Sequence, residues 1–141
     1  MTAYYQQIDV GSEIFDLKLD DSGRAQFGFN ILAVKRDSAV LIDELVAILV
    51  AASVGVYGTT IFATSKAVIP VTEAGTSTAL LSIRETGGIA PRKTQNKISP
   101  PAYQRPGAQI VVRSHDPAAA RAMAYAAYVA LGAIRNQTIT A

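Results

Sequence analysis

The chain contains no cysteine and a single histidine, His115. The first absence excludes a disulfide framework and thiolate chemistry; the two together leave little from which to build a zinc site. No apolar run is long enough to cross a bilayer. The run LVAILVAASV, from Leu45 to Val54, follows Asp43 and Glu44 directly. The N-terminus, MTAYYQQIDV, has neither the basic start nor the apolar stretch of a secretory signal, so the chain is expected to stay where it is synthesised.

What is present fits one domain, residues 1–141. This length supports one proper core and is too short for two comfortable ones. Half the residues are hydrophobic and mean hydropathy is +0.23, high for a free monomer of this size. Apolar surface covered by partner subunits is the simplest explanation. The net charge of +2 hides an asymmetry: residues 1–50 sum to −4 and residues 51–141 to +6. Such polarity suits copies stacked acidic face to basic face, or a basic patch for nucleic acid, and equally an ordinary mixed solvated surface.

Residues 1–36 read as a β-hairpin. YYQQIDV and GSEIFDLKL lead to the turn DDSG, and RAQFGFNILAVK returns. In the return strand Phe27, Phe29, Ile31 and Ala33 alternate with Gln26, Gly28, Asn30 and Leu32, which predicts one apolar face. Asp16, Asp20 and Asp21 hint at a calcium loop, but Lys18 occupies a ligand position, and turn chemistry explains the carboxylates better.

A first helix is expected after a cap at Asp37 or Ser38, with Leu41, Leu45, Ile48, Leu49 and Ala52 on one stripe and Asp43 and Glu44 near its positive end. Gly55 and Gly58 break that pattern. VYGTTIFAT reads as a short strand or irregular chain, VIPVTEAGTST as a loop, and ALLSIRET as a strand.

From Thr86 to Gly107, TGGIAPRKTQNKISPPAYQRPG has a glycine pair, four prolines and no periodicity, and reads as a long arm. It carries Arg92, Lys93, Lys97 and Arg105 with no acid, interleaved with Tyr103. These five are the candidate subunit or partner contacts. TGGIAP lacks the spacing and the Lys-Ser/Thr ending of a phosphate-binding loop.

AQIVVRS is a strand that runs into Ser114-His115-Asp116. Neighbouring residues on an extended strand point to opposite sides, so these three cannot converge as nucleophile, base and orienter. Asp116 is instead expected to cap a second helix, with Pro117 in its first position, running to about Arg135. Met123, Ala127, Leu131 and Ile134 define its apolar stripe, Tyr125 and Tyr128 lie elsewhere on the surface, and its many alanines allow close approach of another backbone. NQTITA closes the chain as a strand-like tail.

The order of pieces from Leu41 to Ile139, namely LIDELVAILV, GVYGTTIFA, ALLSIRETGGIAP, YQRPGAQIVVRSHDPAAARAMAYAAYVAL and IRNQTI, resembles the tail terminator (tail completion, or minor capsid) proteins of long-tailed bacteriophages and gene transfer agents. That family's closing pieces, an aromatic strand, an acidic turn and a final strand, stand here at the front, in residues 1–36. The order is thus rotated, as in a circular permutant joined through RDSAV, with 37–141 resembling the family's N-terminal part.

The resemblance implies an α/β (α+β) subunit, a mainly antiparallel sheet packed by two helices. It implies a homo-hexameric ring that caps the tail tube and joins it to the head connector or stopper protein. DNA would only pass through the lumen. The protein would be a component of the virion, assembled in the host cytoplasm, with no enzymatic activity, no catalytic, cofactor or metal residues and no membrane partner. Two other readings stand beside it. A small α/β ligand-binding or enzymatic domain would bring Arg84, Glu85, His115 and tyrosines into one pocket, and nucleic-acid binding through the arm would weaken steeply with salt. Another head–tail neck protein is a further possibility of the same class.

Overall fold

The architecture is taken from a computed structural model. It describes residues 2–10, 13–19, 24–36, 41–63, 79–92 and 103–140. The elements are β1 (Thr2–Val10), β2 (Phe15–Leu19), β3 (Ala25–Arg36), α1 (Leu41–Ala51), β4 (Ile61–Ala63), β5 (Leu80–Glu85), β6 (Ile89–Arg92), β7 (Tyr103–Arg105), β8 (Gly107–Ser114), α2 (Pro117–Gly132) and β9 (Arg135–Thr140). The fold is α+β: a mostly antiparallel sheet with two helices. The turn at Asp20 and Asp21, the cap expected at Asp37 or Ser38 and the loop VIPVTEAGTST lie outside the described residues.

β3 is the spine of the sheet. Along one side it pairs with β2, Phe15 opposite Gly28, and then with β1, Ile8 opposite Ala33. The antiparallel pairing expected of the hairpin is therefore present, with the outgoing side divided into β1, ending at Val10, and β2, beginning at Phe15. Along its other side β3 pairs with β8 from Ala25–Ser114 to Leu32–Gly107, and with β7 at Lys35–Gln104. The main order is β4-β5-β8-β3-β1-β9. The β4–β5 pair is parallel; the others are antiparallel. Thr2 lies opposite Thr140, which brings the two ends of the described chain side by side.

The predicted alternation in β3 holds from Phe29 to Ala33, where Phe29, Ile31 and Ala33 are buried, Asn30 is exposed and Leu32 is half-buried; before it Phe27 is only half-buried, and Gly28 is buried. α1 and α2 pack on that apolar face, with Leu41, Leu45, Ile48 and Leu49 buried from one helix and Ala120, Ala124, Ala127 and Leu131 from the other. Burying each large aliphatic side chain contributes about 1.5–3 kcal/mol, which helices this short need in order to persist. The alanines at 120, 124 and 127 bring α2 close to the sheet. Ala52, expected on the first stripe, is exposed because α1 ends at Ala51.

Three details differ from the sequence expectation. α2 stops at Gly132, and Arg135 begins β9 rather than ending the helix. Tyr128 is not a free surface residue: its ring meets Phe29 edge-on, centroids 5.4 Å apart and planes at 74°. Residues 86–107 are not an arm without secondary structure. β6 pairs with β7, Ile89 opposite Arg105 and Arg92 opposite Tyr103. Since β5 pairs with β8, Leu80–Arg92 and Tyr103–Ser114 form one long hairpin, bent where Gly87 and Gly88 adopt φ of +96° and +94°. A Cβ at Gly88 would lie 2.2 Å from the Arg105 carbonyl oxygen and 2.5 Å from the Gly107 nitrogen, so the bend requires glycine there. The prolines and glycines concealed these strands. Pro91 sits in β6, a short strand of the kind that tolerates a missing N–H donor.

Candidate assembly surface

Of the five candidate contact residues, the hairpin brings Arg92 and Tyr103 opposite each other across β6 and β7, with Arg105 two residues further along β7. Lys93 and Lys97 lie outside the described residues. Arg105 is half-buried and makes an interaction within the chain, so it does not stand free. The ribbon is fixed to the sheet by the Lys35–Gln104 register and by the Ala33 N–H donating to the Pro106 carbonyl at 2.9 Å.

Ser114-His115-Asp116 is the junction of β8 and α2. The Ser114 hydroxyl accepts from the Asp116 N–H at 3.0 Å, and Asp116 Oδ1 accepts from the Ala118 N–H at 3.0 Å as the N-cap, with Pro117 first in the helix. The carboxylate is engaged with the backbone and does not orient an imidazole. Nor do the groups of the ligand-pocket reading converge. Arg84 and Glu85 are exposed at the end of β5, where Arg84 donates to Gln109 Oε1 at 3.1 Å. Asp16 behaves as turn chemistry predicts, its Oδ1 accepting from the Lys18 N–H at 2.8 Å while Lys18 takes a φ of +69°. Among the described residues no three acidic, histidine or cysteine side chains form a group able to hold a metal ion. No helix there is long and apolar enough to cross a membrane.

An open cleft of about 580 Å³ lies between β2 and α2. Ile14, Asp16 and Phe27 form one wall; Ala118, Arg121, Ala122 and Tyr125 form the other. Of the tyrosines, Tyr125 alone lines it. Above the cleft the outer face of α2 is nearly uncharged: across sixteen residues Arg121 is the only ionisable group besides two tyrosines. Tyr125 and Val129 stand 62% and 50% exposed on it. Val56 and Tyr57, just beyond α1, are similarly open.

One polar group escaped sequence reasoning altogether. Glu44 is fully buried under α1, where its Oε1 accepts from the Tyr5 hydroxyl at 2.8 Å and from the Lys35 ammonium. Lys35 also lies 5.7 Å from the centroid of the Tyr5 ring. Asp43 and Glu44 both stand in the first turn of α1, near its positive end as expected; Asp43 is exposed there and Glu44 is buried. The spacing carried the signal: Leu41, Glu44, Leu45 and Ile48 fall in one helical phase, and Lys35 continues the buried series Phe29, Ile31, Ala33. Burial first, and then the Glu44 hydrogen bond and charge, push the Tyr5 phenol far above its ordinary range, so it stays protonated. The cluster joins β1, β3 and α1, tying residues 1–36 to the remainder of the core. All three side chains are buried among the described residues.

Comparison with protein families, with curated proteins and with solved structures finds no match to this chain.

Proposed function

We propose that this protein is a structural subunit that works by assembling with copies of itself, and that it is a tail terminator. In this reading a ring of subunits caps a finished tail tube on one face and meets the head connector on the other, and DNA passes through the lumen. A ring follows when a head-to-tail interface has a rotation that closes. The observation that carries the assembly reading is the outer face of α2, where Tyr125 and Val129 are open to solvent on a helix with a single formal charge. Such a face loses little hydration on contact and gains from burial. The specific identity rests on the order of sequence pieces from Leu41 to Ile139, supported by the α+β architecture into which they fold.

The rotated order also has support in the fold. In a rotated chain the present ends stand where the family's chain would run on without a break, so they should be neighbours, and β1 and β9 pair at Thr2–Thr140. The basic hairpin from Arg92 to Arg105 and the acidic stretch that includes Asp9, Glu13 and Asp16 supply charges of opposite sign for partners.

Electron microscopy of the purified protein tests the proposal. Rings with a central hole are the expected images, and such rings should decorate the ends of purified tail tubes. Fields of isolated particles of about subunit size at micromolar concentration would count against it.

A further inference from the structure

We infer that the cleft between β2 and α2 is a contact between copies of this chain, in which Asp16 of each copy pairs with Arg121 of a neighbour. The inference deepens the assembly reading above and rests on it for the association itself.

Asp16 and Arg121 stand on opposite walls of the same cleft. Both are exposed, and no ion pair between them or to another described residue is present. Asp16 uses one oxygen for the Lys18 N–H, and the Arg121 guanidinium has no hydrogen bond. A surface with one unpaired acid beside one unpaired base is complementary to itself. Whatever the symmetry of the contact, each copy can present the acid to its neighbour's base, and this selects a second copy as the occupant.

Two other occupants fit less well. A small ligand is held where its surface is largely enclosed, whereas both charged groups here face solvent. An added β-strand would need a regular edge on β2, and that edge is interrupted. The ladder shifts between Asp16 and Leu19, and Lys18 takes its left-handed turn there. Recognition therefore falls to side chains.

Size decides how far the contact must extend. A helix of sixteen residues is about 24 Å long, and a strip one helix wide covers only a few hundred Å², against about 800 Å² per partner in a stable interface. The contact must then combine the Tyr125–Val129 face with the cleft wall at Ile14 and Asp16, and Tyr125, which lines the cleft, belongs to both.

Exchanged charges test this in the full chain by sedimentation velocity at low and moderate salt. Asp16→Arg alone sets two bases against each other at the contact, and Arg121→Glu alone sets two acids. Each variant should keep the wild-type circular dichroism and self-associate about tenfold more weakly or worse. An equimolar mixture of the two should regain association. There the new base at position 16 meets the new acid at position 121, while the native Asp16 and Arg121 meet as before. Tyr125→Lys, at an exposed position, should weaken association with no rescue by either partner. If the wild type assembles and the two charge variants assemble equally well, or if the mixture fails to recover, the inference is overturned while the assembly reading stands. If the wild type stays monomeric, both are overturned.

Discussion

Lys35 and Glu44 show how a single buried charge changes its meaning with context. Taking both from water is costly, and their mutual attraction roughly compensates; removing one partner strands the other. Lys35→Met should therefore cost about 3–5 kcal/mol. Replacing Lys35, Glu44 and Tyr5 together by Met, Leu and Phe should cost far less, because no polar group is then left unpaired. Urea unfolding of the two variants checks the order. A single variant as stable as the wild type would mean that the cluster is solvated. Tyr5 adds a pH signature. Its phenol titrates far higher folded than unfolded, so its contribution is fully present below about pH 10, where an unfolded-chain tyrosine ionises, and is lost as pH rises beyond it. Stability should fall by about 1.4 kcal/mol per pH unit for that one proton. Tyr5→Phe should flatten the alkaline limb by the same amount in denaturation measured from pH 9 to 11. The register that sets Tyr5 opposite Lys35 is a long-range fact, since a one-residue slip in β1 would point the phenol away from the core. That is why no local pattern announced the cluster, although the phases of Glu44 and Lys35 each contained half of it.

Among the elements, the long hairpin from Leu80 to Ser114 depends most on two adjacent glycines with different obligations. Gly87 and Gly88 both adopt positive φ, but a Cβ at Gly87 meets nothing within 4 Å, whereas one at Gly88 runs into the opposite backbone. Gly87→Ala should cost about 1 kcal/mol, for the left-handed conformation alone. Gly88→Ala should cost clearly more and release β6 and β7 from the sheet, seen as faster amide exchange in Ile89–Arg92 while β3 and β8 stay protected. Equal effects at the two positions would contradict the bend described here. Local periodicity revealed β3, β5, β8 and both helices, and the capping residues Asp116 and Pro117 gave the start of α2 correctly, because each signal sits within a few residues of what it controls. The strands β6 and β7 are four and three residues long and take their pairing from neighbours far along the chain. Composition there reported only glycines and prolines. Tyr128 was misplaced for a related reason: its phase on α2 is fixed, but whether Phe29 lies beneath it depends on how the helix crosses the sheet.

For the whole molecule, the proposed assembly draws on apolar and charged groups that the described fold leaves at the surface. One face of the sheet is covered by helices, yet the outer face of α2 offers Tyr125 and Val129 to water, the end of α1 leads to exposed Val56 and Tyr57, and the cleft beside β2 holds an acid and a base that form no ion pair among the described residues. The mixed-charge, half-hydrophobic composition suggested such a surface, but not where it lies, because the helix stripe that faces the core and the one that faces outward are both rich in alanine. Contacts through these surfaces would hide the apolar area, and a rotation that closes would make a ring rather than a filament. The mass of the protein in solution, followed by light scattering over a hundredfold range of concentration, tests this most directly. The account predicts a discrete mass near six times the 14.9 kDa subunit, constant over the upper part of that range. A mass that stays at one subunit throughout would contradict it.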